Sequence, residues 1–340
     1  VVDKSIGHNF VVTSFCGIHG KWVGAVLDGF QAGLEIQEKD IQRMLDLRSP
    51  GQSLVSTQRK EGDSVEILSG VFRGYTTCAP ITTSIWNKDH DSKSYDKWRT
   101  AIRHCHTDYP AFVKYKKFND HRGGGRFSGR LTATHVMSGA IAKKLIKEQL
   151  GIEINSYTCQ IGKVKMKKQA TPNSFKSTYS NDVRCPEKDT AEKMKKYILA
   201  ARKKGDSLGG IIESVTTNVP TGLGEPIFGS LESELSKAMF SIPAVKGIEF
   251  GSGFAASERF GSQNNDAYVY KYGKVVTPSN NSGGIFGGIS NGMTIIFRVA
   301  FKPASSIAKI QSSVDIKKKS QTKIQVGGRH DPCVVPRAPP

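Results

Sequence analysis

The sequence predicts an α/β fold, one domain in which helices and sheets are interleaved, and three observations carry that expectation. Short β-type runs separated by turn residues fill the first quarter of the chain. Amphipathic stretches follow at about 38–45 and 128–150. Strand-like and helix-like segments alternate again after Gly205, and no Pro-rich or low-complexity linker divides the 340 residues. With 37% hydrophobic residues, a chain of this length buries a sizeable core, which excludes general disorder.

Residues 10–15, 22–27, 65–72 and 81–86 read as strands, since β-branched and aromatic residues are bounded there by Gly, Pro and Asp. Ala133, Met137, Ile141 and Leu145 recur every four residues up to Gly151, which is placed to stop the helix as a C′ residue. Asp189 and Thr190 are candidate caps of a third helix with Met194, Ile198 and Leu199 inward. Lys203 and Lys204 fall in its last turn, where the helix dipole favours cations, so they read as a solvated end. Strand 211–217, helix 231–240 and strands 245–250 and 295–301 complete an order that echoes the first half without a sequence repeat.

A formal charge of +19, from 49 Lys and Arg against 30 Asp and Glu, implies acidic partners: nucleic acid, a membrane surface or anionic metabolites. Six cysteines without a C-x-x-C pair suggest neither a zinc site nor a disulfide framework, so no metal is expected and a reducing compartment is. No apolar run approaches a membrane span, and no signal or transit pattern opens the sequence. A soluble, cytoplasmic protein is expected.

The most informative stretch runs from Arg103 to Arg130. His104 and His106 precede Arg122-Gly-Gly-Gly-Arg126-Phe-Ser-Gly-Arg130, and the amphipathic helix follows at once. Glycines let backbone N–H groups approach a ligand, a helix start offers unpaired donors, and guanidinium forks match phosphate or carboxylate oxygens in pairs. This is a design for a small, multiply charged anion, with imidazoles nearby for proton work. Asp108, two positions after His106, is placed to tune that imidazole near neutral pH. His19 sits in a turn between two strands, while His90, His121 and His135 read as surface or core filler. Gly327-Gly-Arg329-His330-Asp331 and Lys302-Pro-Ala-Ser305-Ser306 add an acid, cations and hydroxyls on turns. Gly251-Ser-Gly253-Phe-Ala-Ala256 lacks the helix that a dinucleotide-binding turn requires, and Gly20-Lys21 lacks the Walker spacing.

These pieces, in this order, resemble the chorismate synthase family from near the N-terminus to the end. The matching runs include Ser14-Phe-Cys-Gly-Ile-His19-Gly20, Arg48-Ser-Pro-Gly-Gln-Ser53, Thr57-Gln-Arg-Lys-Glu61, Arg122-Gly-Gly-Gly-Arg126 and Gly222-Leu-Gly-Glu-Pro226. Gly283-Gly-Ile-Phe-Gly-Gly-Ile-Ser290 and Gly328-Arg-His-Asp-Pro-Cys333 continue them. The resemblance implies a single-domain β-α-β sandwich with helices between antiparallel sheets, a homotetramer, and further chain after Pro340 forming an apolar helix. It implies a shikimate-pathway lyase that eliminates the 3-phosphate and a C6 hydrogen from 5-enolpyruvylshikimate 3-phosphate to give chorismate. Reduced FMN is required without net consumption, with NADPH as a candidate reductant.

By the same resemblance, His19 protonates the departing phosphate, His106 protonates or stabilises the reduced flavin, and Asp331 assists proton removal at flavin N5. Arg48, Arg103, Arg130 and Arg329 clamp the phosphate and carboxylates. FMN is held by Arg126, Phe127, Ser128, Pro243, Ala244, Gly287, Lys302, Pro303, Ala304, Ser305, Ser306 and Arg329. The chain departs from the family pattern at Cys16-Gly17-Ile18 (usually Gly-Glu-Ser), at His104-Cys105 (Pro-Gly), and at Phe127 (a small residue). Leu47 and Leu54 stand for arginines, and Leu131 for a glutamate. The position of Leu54 is where the family contacts nicotinamide. Two rival classes are a non-catalytic relative that binds flavin or shikimate-type anions, and a basic RNA-binding protein. Clustered arginines suit small anions better than RNA, because Phe127 is the one aromatic within the 122–130 cluster and no nucleic-acid partner is expected.

Overall fold

The structure, a computed structural model, describes residues 4–17, 19–51, 53, 55–57, 62–87, 98, 100–327 and 330–340. A first sheet in the order β1-β2-β3-β7-β4 is built from Ser5–Ile6 (β1), Val11–Cys16 (β2), Trp22–Asp28 (β3), Val65–Ser69 (β4) and Ile81–Trp86 (β7), all antiparallel. The run expected at 65–72 breaks at Gly70. Its φ is 81°, and a Cβ there would sit 2.7 Å from Ile81 Cα, so the chain turns. Val71–Phe72 (β5) then pairs with Tyr75–Thr76 (β6) as a separate hairpin.

Helix α1, Glu38–Arg48, runs one turn beyond the expected 38–45. Its first turn is fixed by Asp40, whose carboxylate accepts from the Gln37 backbone N–H at 3.0 Å. Ile41, Leu45 and Arg48 share its buried face at helical spacing, which carries a guanidinium inward on an otherwise apolar stripe. After α2 (Asp108–Lys114), α3 spans Thr132–Leu150 and ends at Gly151, in the left-handed conformation at φ 66°. The start expected near 128 is a tight turn instead: Ser128 Oγ accepts from Arg130 N at 3.2 Å, and helical bonding begins four residues later. Ala133, Met137 and Ile141 are fully buried against Leu27, Ile41, Leu45, Ile81 and Ile85. Each large side chain so buried contributes about 1.5–3 kcal/mol.

The second sheet, order β11-β16-β10-β8-β9, is also antiparallel. It comprises Glu153–Ile161 (β8), Val164–Lys165 (β9), Gly210–Thr217 (β10), Val245–Phe250 (β11) and Ile295–Phe301 (β16). Between β9 and β11 lie α4 (Pro172–Phe175), α5 (Lys188–Lys203) and α6 (Leu231–Phe240). Helix α5 starts one turn before the expected caps, from Glu187, whose carboxylate accepts from Thr190 Oγ1 at 2.7 Å. It buries Met194 and Ile198, and Lys203 and Lys204 are exposed as expected. Strand β16 alternates strictly, with Ile295, Phe297, Val299 and Phe301 on its buried face.

Helix α3 touches β3 of the first sheet and β8 of the second, so helix lies between sheets, as the β-α-β sandwich requires. Past β11 come α7 (Gly261–Asn264) and three ribbons: Val269–Lys271 (β12) with Lys274–Val276 (β13), Ile285–Phe286 (β14) with Ile289–Ser290 (β15), and Ile310–Asp315 (β17) with Ser320–Gln325 (β18). Gly253–Glu258 forms a short 3₁₀ turn, not the long helix of a dinucleotide fold.

Candidate active site

One cavity of about 1500 Å³ collects residues from both sheets and from the loops between them. Its wall includes His19, Arg48, Arg103, His106, Arg130 and Asp331, and also Arg126, Phe127, Ser128, Pro243, Ala244, Lys302, Pro303, Ala304, Ser305 and Ser306. Pockets for one drug-sized ligand measure roughly 300–1,000 Å³, so this cavity has room for two small molecules. Gly287 does not line this cavity in the single chain. It caps the exposed β14–β15 turn away from the cavity, because Gly288 O accepts from Leu231 N at 2.9 Å and Ser290 N bonds Leu223 O at 2.8 Å, fastening that ribbon elsewhere. Arg329, Leu54, Arg59, Lys60 and His90 lie outside the described residues.

Three of the cavity arginines are almost wholly withdrawn from water: Arg48 is 4% exposed, Arg103 5% and Arg130 7%. Guanidinium groups at that depth need anions close by. Arg103 grips Asp108 with both prongs, Nε to Oδ2 at 2.9 Å and Nη2 to Oδ1 at 2.8 Å. Arg48 Nη1 reaches Asp63 Oδ2 at 3.1 Å, while its other nitrogens reach Thr132 Oγ1 and the Gly129 carbonyl. Arg130 Nη1 donates to the other oxygen of the same carboxylate. Arg126 is held by the Ser14 and Cys16 carbonyls and Ser14 Oγ, all within 3.2 Å. Arg122 faces away, paired with Asp120 in a half-exposed bridge.

Between Asp120 and Arg126 the backbone makes a glycine cradle. Gly125 has φ 52°, and a Cβ there would stand 2.3 Å from the Asp120 carbonyl, so the approach is possible only without a side chain.

His106 Nε2 lies 2.8 Å from Ser306 Oγ. Burial, then the charge of Arg103, pushes this imidazole down from 6.5 to about 4, and Asp108 opposes the shift only in part because Arg103 engages it. The imidazole expected to be tuned near neutrality is therefore held well below it, although Asp108 pulls in the raising direction. His330 and His135 are also depressed, chiefly by burial. His135 is more than filler: it lines the cavity, and its Nε2 is 3.0 Å from Ser241 Oγ, linking α3 to the 241–244 loop. His121 lines the cavity too. Across the wall, Asp331 Oδ1 accepts from Thr57 N at 2.8 Å, and Oδ2 from Arg337 Nη1 at 2.6 Å. Lys302 Nζ bonds Ser305 Oγ, and its backbone N–H meets the Ala244 carbonyl at 2.9 Å.

Sequence reasoning missed Asp63 and Arg337. Neither stands out by composition or periodicity; a buried carboxylate between two arginine segments becomes visible only once the chain is folded. Chemically, the wall offers cations for several anionic groups, imidazoles for proton transfer, His19 and His106 among them, and a fixed carboxylate.

Comparison with known proteins agrees with this geometry. The family model for chorismate synthase matches residues 10–340. The chain is 48% identical over 337 residues to a curated chorismate synthase of Dehalococcoides mccartyi strain BAV1, covering 99% of this chain and 92% of the relative. It is 50% identical over 332 residues to that of Korarchaeum cryptofilum strain OPF8, covering 98% and 92%. A crystal structure of chorismate synthase superposes with a TM-score of 0.73 at 35% identity, over 86% of this chain and 84% of that one.

Proposed function

Since the chain belongs to the chorismate synthase family and is a phosphate-eliminating lyase of the shikimate pathway, we propose that the cavity is its active site and that the residues gathered there divide the work as follows. The single observation that carries this reading is the convergence of Arg48, Arg103, Arg130, His19, His106 and Asp331 on one hollow. The substrate, 5-enolpyruvylshikimate 3-phosphate, brings one phosphate and two carboxylates, which match the buried guanidinium groups.

The family requires reduced flavin, and the wall suits FMN in particular. The glycine cradle lets backbone approach a flat ring system, and Lys302 with Ser305 and Ser306 offers a cation and hydroxyls to a phosphate tail. Arg126, Phe127, Ser128, Pro243, Ala244, Pro303 and Ala304 complete the set that holds it from this chain. When bound, reduced FMN supplies electron density during C–O cleavage and is not consumed overall.

His19, in the β2–β3 turn, gives its proton to the departing phosphate. His106 is neutral at pH 7 without ligand. An anion arriving beside Arg103 and Lys302 offsets their field and lets the imidazole take up a proton, so it turns into an acid only in the loaded site. Asp331, held at both oxygens, keeps a second lone pair on each, from which it would assist proton removal at flavin N5 when the cofactor is bound. Closure of the cavity from water strengthens each of these interactions.

We also propose one domain over 1–340 and a homotetramer. Phe228 (91% exposed), Tyr272 (90%), Phe254, Phe260 and Tyr270 hold large apolar side chains in water, which contact between subunits would cover. A cytoplasmic location fits six unpaired cysteines, and among the described residues no helix is long and apolar enough to cross a membrane.

The deciding experiment is anaerobic. Substrate and chemically reduced FMN are added, and inorganic phosphate and chorismate absorbance are followed. Release of both supports the reading. Silence with intact FMN binding favours a non-catalytic relative, and salt-sensitive RNA binding without flavin affinity favours the third class. Repeating the assay with NADPH as the sole reductant reads whether this chain uses it.

A further inference from the structure

Asp63 is the most deeply buried carboxylate near the cavity, its side chain wholly inaccessible, yet it is not itself part of the cavity wall. Its two oxygens are divided between two arginines that do line it: Arg48 Nη1 at 3.1 Å on Oδ2, and Arg130 Nη1 on Oδ1. The three residues come from three separate places. Arg48 closes α1, Arg130 sits in the turn before α3, and Asp63 lies in the loop entering β4. The Asp63 carbonyl also accepts from Gln42 Nε2 at 2.8 Å, and Val65 N donates to Gln42 Oε1 at 3.0 Å, so the loop is pinned to α1 nearly two turns before Arg48. Asp63 therefore cannot shift without moving α1.

Two guanidinium groups packed this closely repel one another, and long side chains under repulsion splay. A shared carboxylate does two things at once. It halves the local positive charge, and it fixes the two forks relative to each other by directional, charge-assisted bonds. Recognition of a phosphate or carboxylate by paired forks depends on that mutual angle.

We propose that Asp63 is the positioning residue of the anion site: from behind the wall it sets the spacing and orientation of Arg48 and Arg130, and thereby the affinity for the substrate's anionic groups. The proposal rests on the reading that those two arginines hold substrate. It assigns Asp63 no contact with substrate or flavin.

The test is a set of variants in the full chain, with KM for substrate, kcat and FMN affinity each measured. Asp63→Asn keeps the shape and removes the charge. KM should rise about tenfold or more, while kcat and FMN affinity, which depend on His19, His106 and the Lys302 loop, stay within about threefold. In an Arg130→Met background, where KM is already raised, Asp63→Asn should add little, because it acts through that arginine. Should Asp63→Asn not fold, Asp63→Glu, which retains the charge but displaces it by one methylene, is read the same way, with a smaller rise in KM.

An unchanged KM overturns the proposal. So does a rise in KM accompanied by comparable losses of kcat and FMN affinity, which marks a purely structural role, and so do fully additive effects with Arg130→Met. If Arg48→Met and Arg130→Met themselves leave KM unaltered, the substrate-binding reading fails instead.

Discussion

His106 Nε2 stands 2.8 Å from Ser306 Oγ, joining residues 200 positions apart and setting an imidazole beside the Lys302 loop. That contact gives the histidine a fixed orientation before any ligand arrives. His106→Ala is expected to leave folding and FMN binding largely intact and to lower turnover by roughly two to four orders of magnitude, as for a lost general acid or base. Steady-state phosphate release under anaerobic conditions measures it, and full activity in the variant refutes the role.

The same histidine makes stability depend on pH. Its folded value is about 4 against 6.5 for the free side chain, so between those limits the unfolded chain binds more protons. Its contribution is present above about 6.5 and is lost as pH falls towards 4, with a slope of at most about 1.4 kcal/mol per unit. His135 and His330 shift in the same direction. Melting temperature should therefore drop on acidification through this window, and less steeply in His106→Asn.

Arg337 clamps Asp331 through Nη1 and ties itself to the Arg48 carbonyl through Nε at 3.1 Å. Arg337→Met frees one carboxylate oxygen and loosens the orientation of Asp331. Turnover is expected to fall about tenfold to a hundredfold with FMN affinity little changed, as read by kcat and by flavin fluorescence titration. A loss of flavin affinity as large as the loss of kcat counts against this assignment.

Three guanidinium groups buried to within 7% of complete exclusion share two carboxylates, Asp63 and Asp108, which leaves positive charge in excess on the cavity wall. Inorganic phosphate should raise the melting temperature in a concentration-dependent way, by the equivalent of about 2.7 kcal/mol at a hundred times its dissociation constant. Arg48→Met should blunt that response. A flat profile in the parent protein shows that the cluster does not take phosphate.

Gly125→Ala forces a Cβ to 2.3 Å from the Asp120 carbonyl at a φ of 52°. FMN affinity is expected to fall by about tenfold or more while the two sheets stay intact, since backbone strain of about 1–3 kcal/mol is confined to the cradle. Circular dichroism and flavin titration together separate the two effects.

Much of this was readable in the chain. Strands whose apolar residues alternate or run together, such as β3, β7 and β16, and helices with a four-residue stripe, such as α3, declare themselves because burial dictates their pattern. Strand β8 does not. Asn155, Ser156, Thr158 and Gln160 interrupt it, and their places become intelligible only beside partner strands, where Ser156 Oγ bonds Ser214 Oγ at 3.1 Å. The β17–β18 ribbon is similarly polar, and the lysines at 317–319 turn out to form its tip. Site residues carried on motifs emerged early, whereas Asp63 and Arg337 did not. Their importance lies in what they brace, and bracing is a property of tertiary distance.

The bond from Thr57 N to Asp331 Oδ1 joins residues 274 positions apart. Bringing such distant segments together costs loop-closure entropy, which is repaid where Val55, Cys333 and Val335 are buried in one core with Phe297, Val299 and Phe301, so this wall of the cavity stands or falls with the core under the second sheet. Catalytic competence thus shares the stability of that core: on warming or in urea, turnover and the circular dichroism of the second sheet should be lost together.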